Sequence, residues 1–250
     1  MSEALQESTF REHTHMQGQL VMPFYVICDA SGSMSGDMAA LQAGLEQLKT
    51  DIMKDPVVDD LTMLSVIAFG SNAATVVPLA PPSEITIPRL TLMGGTNYGA
   101  AFREYHRVFE EDRARLKAEG RQVYRPCVFF LTDGEPQDKD YTQTFRSLLA
   151  FDPATNQGNR AFPYVVTFGF RNAPEDVIRG LAYPDFGSTK GKWFLARSSN
   201  ISELLRSMTK AIGNTVVSSG LSASAGTPQI IPPTVSPQAG MQFGEAGDFV

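Results

Sequence analysis

Histidine and cysteine are scarce in this chain, with 3 and 2 among 250 residues, which leaves little material for a zinc centre or a thiol redox site. Cys28 and Cys127 stand apart in apolar runs, Phe24–Cys28 and Cys127–Leu131, and not in CxxC pairs. Both read as small buried hydrophobes. His13 and His15 lie in a polar N-terminal stretch without a carboxylate or cysteine cluster and read as exposed and unstructured, while His106 falls mid-helix. No run of Lys or Arg occurs, and the formal net charge is -6 with a sequence pI near 5.1. A phosphate backbone or an anionic membrane therefore has nothing to grip. No apolar stretch reaches membrane-spanning length, and Met1–Gln19 lacks the basic start and apolar core of a signal peptide. A cytoplasmic protein with neither nucleic acid nor membrane as partner is expected.

What is present is a pattern of short β-branched and aromatic runs alternating with longer amphipathic segments, the mark of βα units around a mostly parallel sheet. Strands are expected near Met22–Cys28, Leu61–Phe69, Ala73–Leu79, Arg125–Thr132, Phe162–Phe168 and Lys192–Ala196. The second and third are close enough for a hairpin through Gly70-Ser71-Asn72, which makes the third an antiparallel edge strand. The expected fold is a doubly wound α/β sheet of six strands in the order 3-2-1-4-5-6, with helices on both faces. Met38, Leu41, Leu45, Leu48 and Ile52 form one apolar face of a first helix, with Asp37 in its first turn. A second helix is expected from about Asn97 to Ala118 with Gly120 as its stop, and others near Tyr141–Ala150, Pro174–Ala182 and Ile201–Asn214. The composition divides the chain into a polar segment 1–20, a domain 21–215 and a Ser/Gly/Pro-rich tail 216–250, which reads as disordered.

Chemistry concentrates where strands end. The first strand runs into Asp29-Ala30-Ser31-Gly32-Ser33, a carboxylate followed by two hydroxyls at alternate positions. The fourth ends in Thr132-Asp133-Gly134, and between them Gly94-Gly95-Thr96-Asn97 offers a third hydroxyl on a glycine-rich loop. In the expected strand order the first and fourth strands are neighbours, and the crevice at their C-terminal ends is the switch point where ligands collect. Two carboxylates meeting there repel unless a proton or cation separates them, and neutral hydroxyls suit a hard cation. Mg2+ fits first, with Mn2+ and Ca2+ as alternatives; a six-oxygen shell leaves a position open. Thr132 and Glu135 flank the second carboxylate and read as a strand residue and a helix-approach residue. Asn97 and Tyr98 read as a helix cap and a core-facing aromatic.

Asp29-x-Ser31-x-Ser33, Thr96 and Asp133 resemble the metal-ion-dependent adhesion site of von Willebrand factor type A domains, and the resemblance covers roughly residues 20–215. It implies that the hydroxyls contact the metal, that the aspartates act directly or through water, and that a partner protein's Asp or Glu fills the open position. The stretches FYVICDASGSMSG, LMGGTNYGAAF, VYRPCVFFLTDGEPQD and YVVTFGF are most similar to bacterial TerY-like proteins associated with tellurite resistance and stress response. That likeness implies kinase- or phosphatase-like partners. Relatives with an added zinc segment would need cysteines, and none follows Cys127.

An enzyme is not expected. Gly32-Ser33-Met34-Ser35-Gly36 has Met at the centre of the G-x-S-x-G spacing, so it is no nucleophile elbow. Phosphate loops of the GxxxxGK[ST] and GxGxxG kinds are absent after the first strand. An aspartyl-phosphate mechanism would resemble haloacid dehalogenases, which place a second Asp where this chain has Ser31. The rival from another class is a metal-independent scaffold acting through the C-terminal tail.

Overall fold

The computed structural model describes residues 18–197, 201–233 and 241–247. Strand β1 (Leu20–Asp29) lies in the interior of the main sheet, next to its middle strand. Its residues are buried on both faces from Val21 onward, which is why its sequence reads as an almost unbroken apolar run and not as an alternation. β1 pairs in parallel with β2 (Thr62–Phe69) on one side and, on the other, with the short β4 (Gln122–Val123) and with β5 (Cys127–Thr132). From β2 the sheet continues into the antiparallel edge β3 (Ala73–Ala80). From β5 it continues through parallel β8 (Tyr164–Phe170) and β9 (Lys192–Ala196).

The six strands expected from the sequence are therefore present in the order 3-2-1-4-5-6. The structure adds β4 and a further strand, β10 (Met241–Glu245), antiparallel to β9 at the far edge. A small separate hairpin of β6 (Phe151–Asp152) and β7 (Gln157–Gly158) was not legible because each strand is two residues long.

The two sheet faces carry different helices. Met22, Phe24, Val26 and Cys28 point into a core with Leu41, Leu45, Leu48 and Ile52 of α1 (Met38–Ile52), Val58 of α2 (Pro56–Leu61), and Leu204, Leu205, Met208 and Ile212 of α6 (Ile201–Ser224). Val21, Tyr25 and Ile27 point the other way, against Tyr98, Phe102, Tyr105 and Phe109 of α3 (Tyr98–Ala118) and Phe145 of α4 (Tyr141–Leu148). α5 (Glu175–Leu181) closes a smaller cluster with Trp193 and Leu195 of β9. Each such fully buried Leu, Ile or Phe side chain contributes about 1.5–3 kcal/mol relative to exposure.

The expected end of the last helix and the reading of the tail as disordered both need correction. α6 continues past Asn214 to Ser224 because Thr215, Val216 and Ser219 remain buried, and Gly220 lets the helix pass close to Val58 and Thr62. Met241–Glu245 finds the open edge of β9, where Phe243 stacks on Phe194 with ring centroids 6.3 Å apart. Composition carried no sign of either, since both depend on a vacant place in the tertiary packing. The segments 1–17 and 234–240, with His13 and His15, lie outside the described residues.

Candidate metal centre

β1 delivers Asp29 to the C-terminal edge of the sheet with its side chain 1% exposed. The Ser31 amide donates to Asp29 Oδ1 at 2.8 Å and the Thr132 hydroxyl donates to Oδ2 at 2.7 Å. Burial pushes the Asp29 carboxyl above the usual carboxylate range; the Ser31 and Thr132 hydrogen bonds pull it back, and the charge of Asp133 raises it further.

After Asp29 the chain tightens into a single 3-10 turn, Gly32–Gly36, which faces the end of β5. Ser31 Oγ lies 2.9 Å from Ser33 Oγ, and Ser33 Oγ donates to Asp133 Oδ1 at 2.7 Å. A chain of short contacts thus joins Ser31, Ser33 and Asp133 across the boundary between β1 and β5, although Ser33 and Asp133 are 100 residues apart. Ser33 is exposed while Asp29, Ser31 and Asp133 are buried, so the cluster opens to the surface on the Ser33 side.

The loop bearing Thr96 is laced to both neighbours by backbone bonds. Gly32 N donates to Gly94 O at 2.7 Å, Met93 N to Ala30 O at 2.7 Å, and Gln137 N to Thr96 O at 2.8 Å. Gly94 has φ +87°, a left-handed conformation that side chains disfavour, which is why glycine is needed at this corner. Thr96 is 6% exposed, and its hydroxyl lies 4.0 Å from where a Cβ on Gly134 would stand. The structure therefore gathers Asp29, Ser31, Ser33, Thr96 and Asp133 at one edge of the sheet, with the first, second, third and fifth joined directly or through Thr132 and the Ser31 amide by hydrogen bonds.

Two residues at this edge, Asp138 and Arg171, were not singled out by sequence, and two others, Thr132 and Tyr98, make contacts beyond the roles read for them. Thr132, read as a strand residue, does lie in β5, but its hydroxyl is the partner of Asp29. Tyr98 OH sits 3.1 Å from Thr132 Oγ1 and 2.9 Å from Gly134 O, so its core-facing ring carries a polar tip that braces the β5 end. Asp138 accepts from the amides of Tyr98 and Gly99 at 2.8 and 2.7 Å and holds the start of α3, beside the Asn97 cap on Ala100 N. Arg171, just past β8, donates from Nη1 to Ser33 O at 2.9 Å and to Asp133 Oδ2 at 3.3 Å, and its Nη2 pairs with Asp37. Asp37, expected to serve the helix dipole, makes no side-chain cap bond on α1. Nothing local marks Arg171, which reaches the site solely because β8 lies next to β5.

Chemically the donor set is two carboxylates and three hydroxyls. Among the described residues no group of three or more His, Cys, Asp or Glu side chains is placed to hold a metal, so a nitrogen- or sulfur-rich centre is not built here. All-oxygen donors with only two formal charges match a hard divalent cation.

Residues 24–135 match the family model described as the von Willebrand factor type A domain, and the sheet has the α/β fold of that class. No protein of curated function has a matching sequence. Solved structures with the same fold include the pilus adhesin SpaC from Lactobacillus rhamnosus GG, in its open conformation. That likeness has 14% identity and a TM-score of 0.54, covering 81% of this chain and 30% of that one. A mutant of the PilB minor pilin from Streptococcus sanguinis has 12% identity and a TM-score of 0.55, covering 85% and 64%. Proximal thread matrix protein 1 from the mussel byssus has 16% identity and a TM-score of 0.51, covering 77% and 48%. The chain spans less than two thirds of each of these proteins, and at such identities the likeness is one of fold.

Proposed function

We propose that this chain is a protein-interaction module that binds its partner through a divalent cation held by Asp29, Ser31, Ser33, Thr96 and Asp133. The observation that carries this reading is the run of contacts from Ser31 Oγ through Ser33 Oγ to Asp133 Oδ1, at 2.9 and 2.7 Å, beside the buried Asp29. Oxygens already this close need little reorganisation to turn toward a common cation, and Asp29, whose hydrogen-bond partners are neutral, gains the counter-charge that its burial calls for. Mg2+ is the ion we assign, with Mn2+ and Ca2+ as alternatives. When bound, such an ion supplies a positive centre to which a partner's Asp or Glu can coordinate. The chain's own contribution is a donor set rich in neutral hydroxyls, which leaves the ion most of its charge for that carboxylate.

The reading is of binding, not catalysis: among the described residues neither serine hydroxyl bonds a histidine that could act as a base. The match of 24–135 to a domain widely used in protein association supports it. The finer setting we propose, a cytoplasmic bacterial stress-response or tellurite-resistance complex with kinase- or phosphatase-like partners, rests on the TerY-like stretches alone. Among the described residues no helix is long and apolar enough to cross a membrane.

The test is isothermal calorimetry of Mg2+ and Mn2+ on chelator-treated protein, as wild type, Asp29→Ala and Thr96→Ala. Binding by the wild type that is lost in both folded variants is the expected result. Equal metal binding in all three, or none in the folded wild type, overturns it.

A further inference from the structure

Arg171 occupies an unusual position for a cationic side chain. It follows β8, has φ +52° in the left-handed region that residues with a Cβ disfavour, and accepts a hydrogen bond on its carbonyl from the Arg197 guanidinium. The next residue ties the loop down, with Asn172 N donating to Asp133 O at 3.1 Å. This backbone aims the guanidinium into the cluster, where it meets Asp133 Oδ2, the Ser33 carbonyl and Asp37. Asp133 is then engaged on both oxygens, Oδ1 by the Ser33 hydroxyl and Oδ2 by Arg171. A backbone held in a disfavoured conformation beside a binding site is a common sign that the side chain's placement matters to function.

We propose that Arg171 is a resident counter-cation of the site, which neutralises Asp133 and Asp37 in the metal-free protein and lowers divalent-metal affinity by competing for Asp133. The inference rests on the metal-binding reading above. An arginine cannot shed its charge in the accessible pH range, so a divalent ion arriving at Asp133 must either displace the guanidinium or bind against its repulsion. Asp37 supplies the alternative berth: it pairs with the other nitrogen of the same fork, is 8% exposed, and keeps Arg171 paired when Asp133 turns to the metal. Arg171 is thus a positioning residue that tunes the site, and a metal-free protein keeps Asp37 and Asp133 in ion pairs. The side chain is 32% exposed, which gives the guanidinium room to swing outward.

The experiment compares the full chain as wild type, Arg171→Gln, Arg171→Gly and Arg171→Lys, each stripped by chelator and titrated with Mg2+ and Mn2+, with melting followed by circular dichroism. Arg171→Gly is included because glycine adopts this backbone conformation without strain, so at least one charge-removing variant is expected to fold. Removing a like charge within a few ångströms of the ion should tighten metal binding by about tenfold or more in the Gln and Gly variants. The Lys variant, which keeps the charge, should stay close to wild type. In chelator the Gln variant should melt below wild type, and it should regain more than wild type does when Mn2+ is added. Unchanged or weaker metal binding in folded Gln and Gly variants overturns the inference; if wild-type binding is meanwhile abolished by Asp29→Ala, the metal reading stands alone. Absence of metal binding in every variant overturns both.

Discussion

Asp29 and Glu104 show opposite ways of keeping a carboxylate in a fold. Asp29 is sealed in the sheet edge and depends on one amide and one hydroxyl, so its partner Thr132 carries more weight than its neutral chemistry suggests. Thr132→Val preserves the shape and removes the donor. It should cost about 1–3 kcal/mol in urea unfolding of the chelated protein, the range for leaving a buried acceptor unsatisfied; a loss below about 0.5 kcal/mol would contradict that role. Glu104 instead stays at the surface of α3, where it accepts from Thr75 N at 3.0 Å and Thr75 Oγ1 at 2.7 Å and pairs with Arg107. Hydrogen bonding from Arg107 is the largest cause holding its carboxyl below the ordinary value of 4.5; desolvation opposes it next, and the Thr75 hydrogen bonds add to the lowering. A depressed carboxyl stabilises the fold fully above its ordinary value and loses that contribution as pH falls through the folded one. Stability should therefore decline as pH is lowered below 4.5, and Glu104→Gln should flatten that part of the profile. An unaltered profile in the variant would show that other groups set it.

The loop between β3 and α3 is positioned by close backbone contact more than by side chains. Gly70, at the end of β2, accepts from Asn97 N, and a Cβ there would stand 2.5 Å from Met93 O, a backbone atom that cannot swing away. Gly70→Ala must push the Met93–Thr96 segment off the sheet edge. It should destabilise the protein by about 1–3 kcal/mol, as overpacking does, and weaken Mg2+ binding with it. Wild-type affinity together with wild-type melting would show that the loop can shift freely. At this scale the sequence was informative where periodicity was strong: the apolar stripe of α1 and the start of α3 at Asn97 follow from spacing and capping alone. It was silent on the Asp138 carboxylate that caps α3 from 40 residues away, because no local pattern encodes a long-range cap.

Across the whole molecule, the C-terminal region is part of the architecture. Truncation after Asn214 removes buried Thr215, Val216 and Ser219 together with β10, so it cannot serve as a clean test of a tail scaffold. Such a chain should fail to unfold cooperatively on heating. Removal of residues 234–250 takes away only β10 and the chain around it, baring the β9 edge and one face of Phe194. That form should fold, melt lower by about 1–2 kcal/mol of stability from lost cross-strand pairs, and self-associate through the open edge in sedimentation. Equal melting of the two truncations would mean that the second half of α6 contributes little.

The strand order, and the placement of the five oxygen-bearing residues at one sheet edge, were readable in advance because both are written in local signals: apolar runs long enough for central strands, and Asp, Ser and Thr placed just past their ends. Sheet order then follows from the doubly wound fold that the alternation implies, and it brings residues from distant segments to one edge. What only the tertiary structure decided is the company these residues keep. Thr132 against Asp29, Arg171 against Asp133 and Asp37, and β10 against β9 are contacts between segments with no sequence signal in common. They arise because a twisted sheet sets its strand ends and open edges beside whatever the chain later delivers there, and a buried charge or an unpaired edge takes the partner within reach.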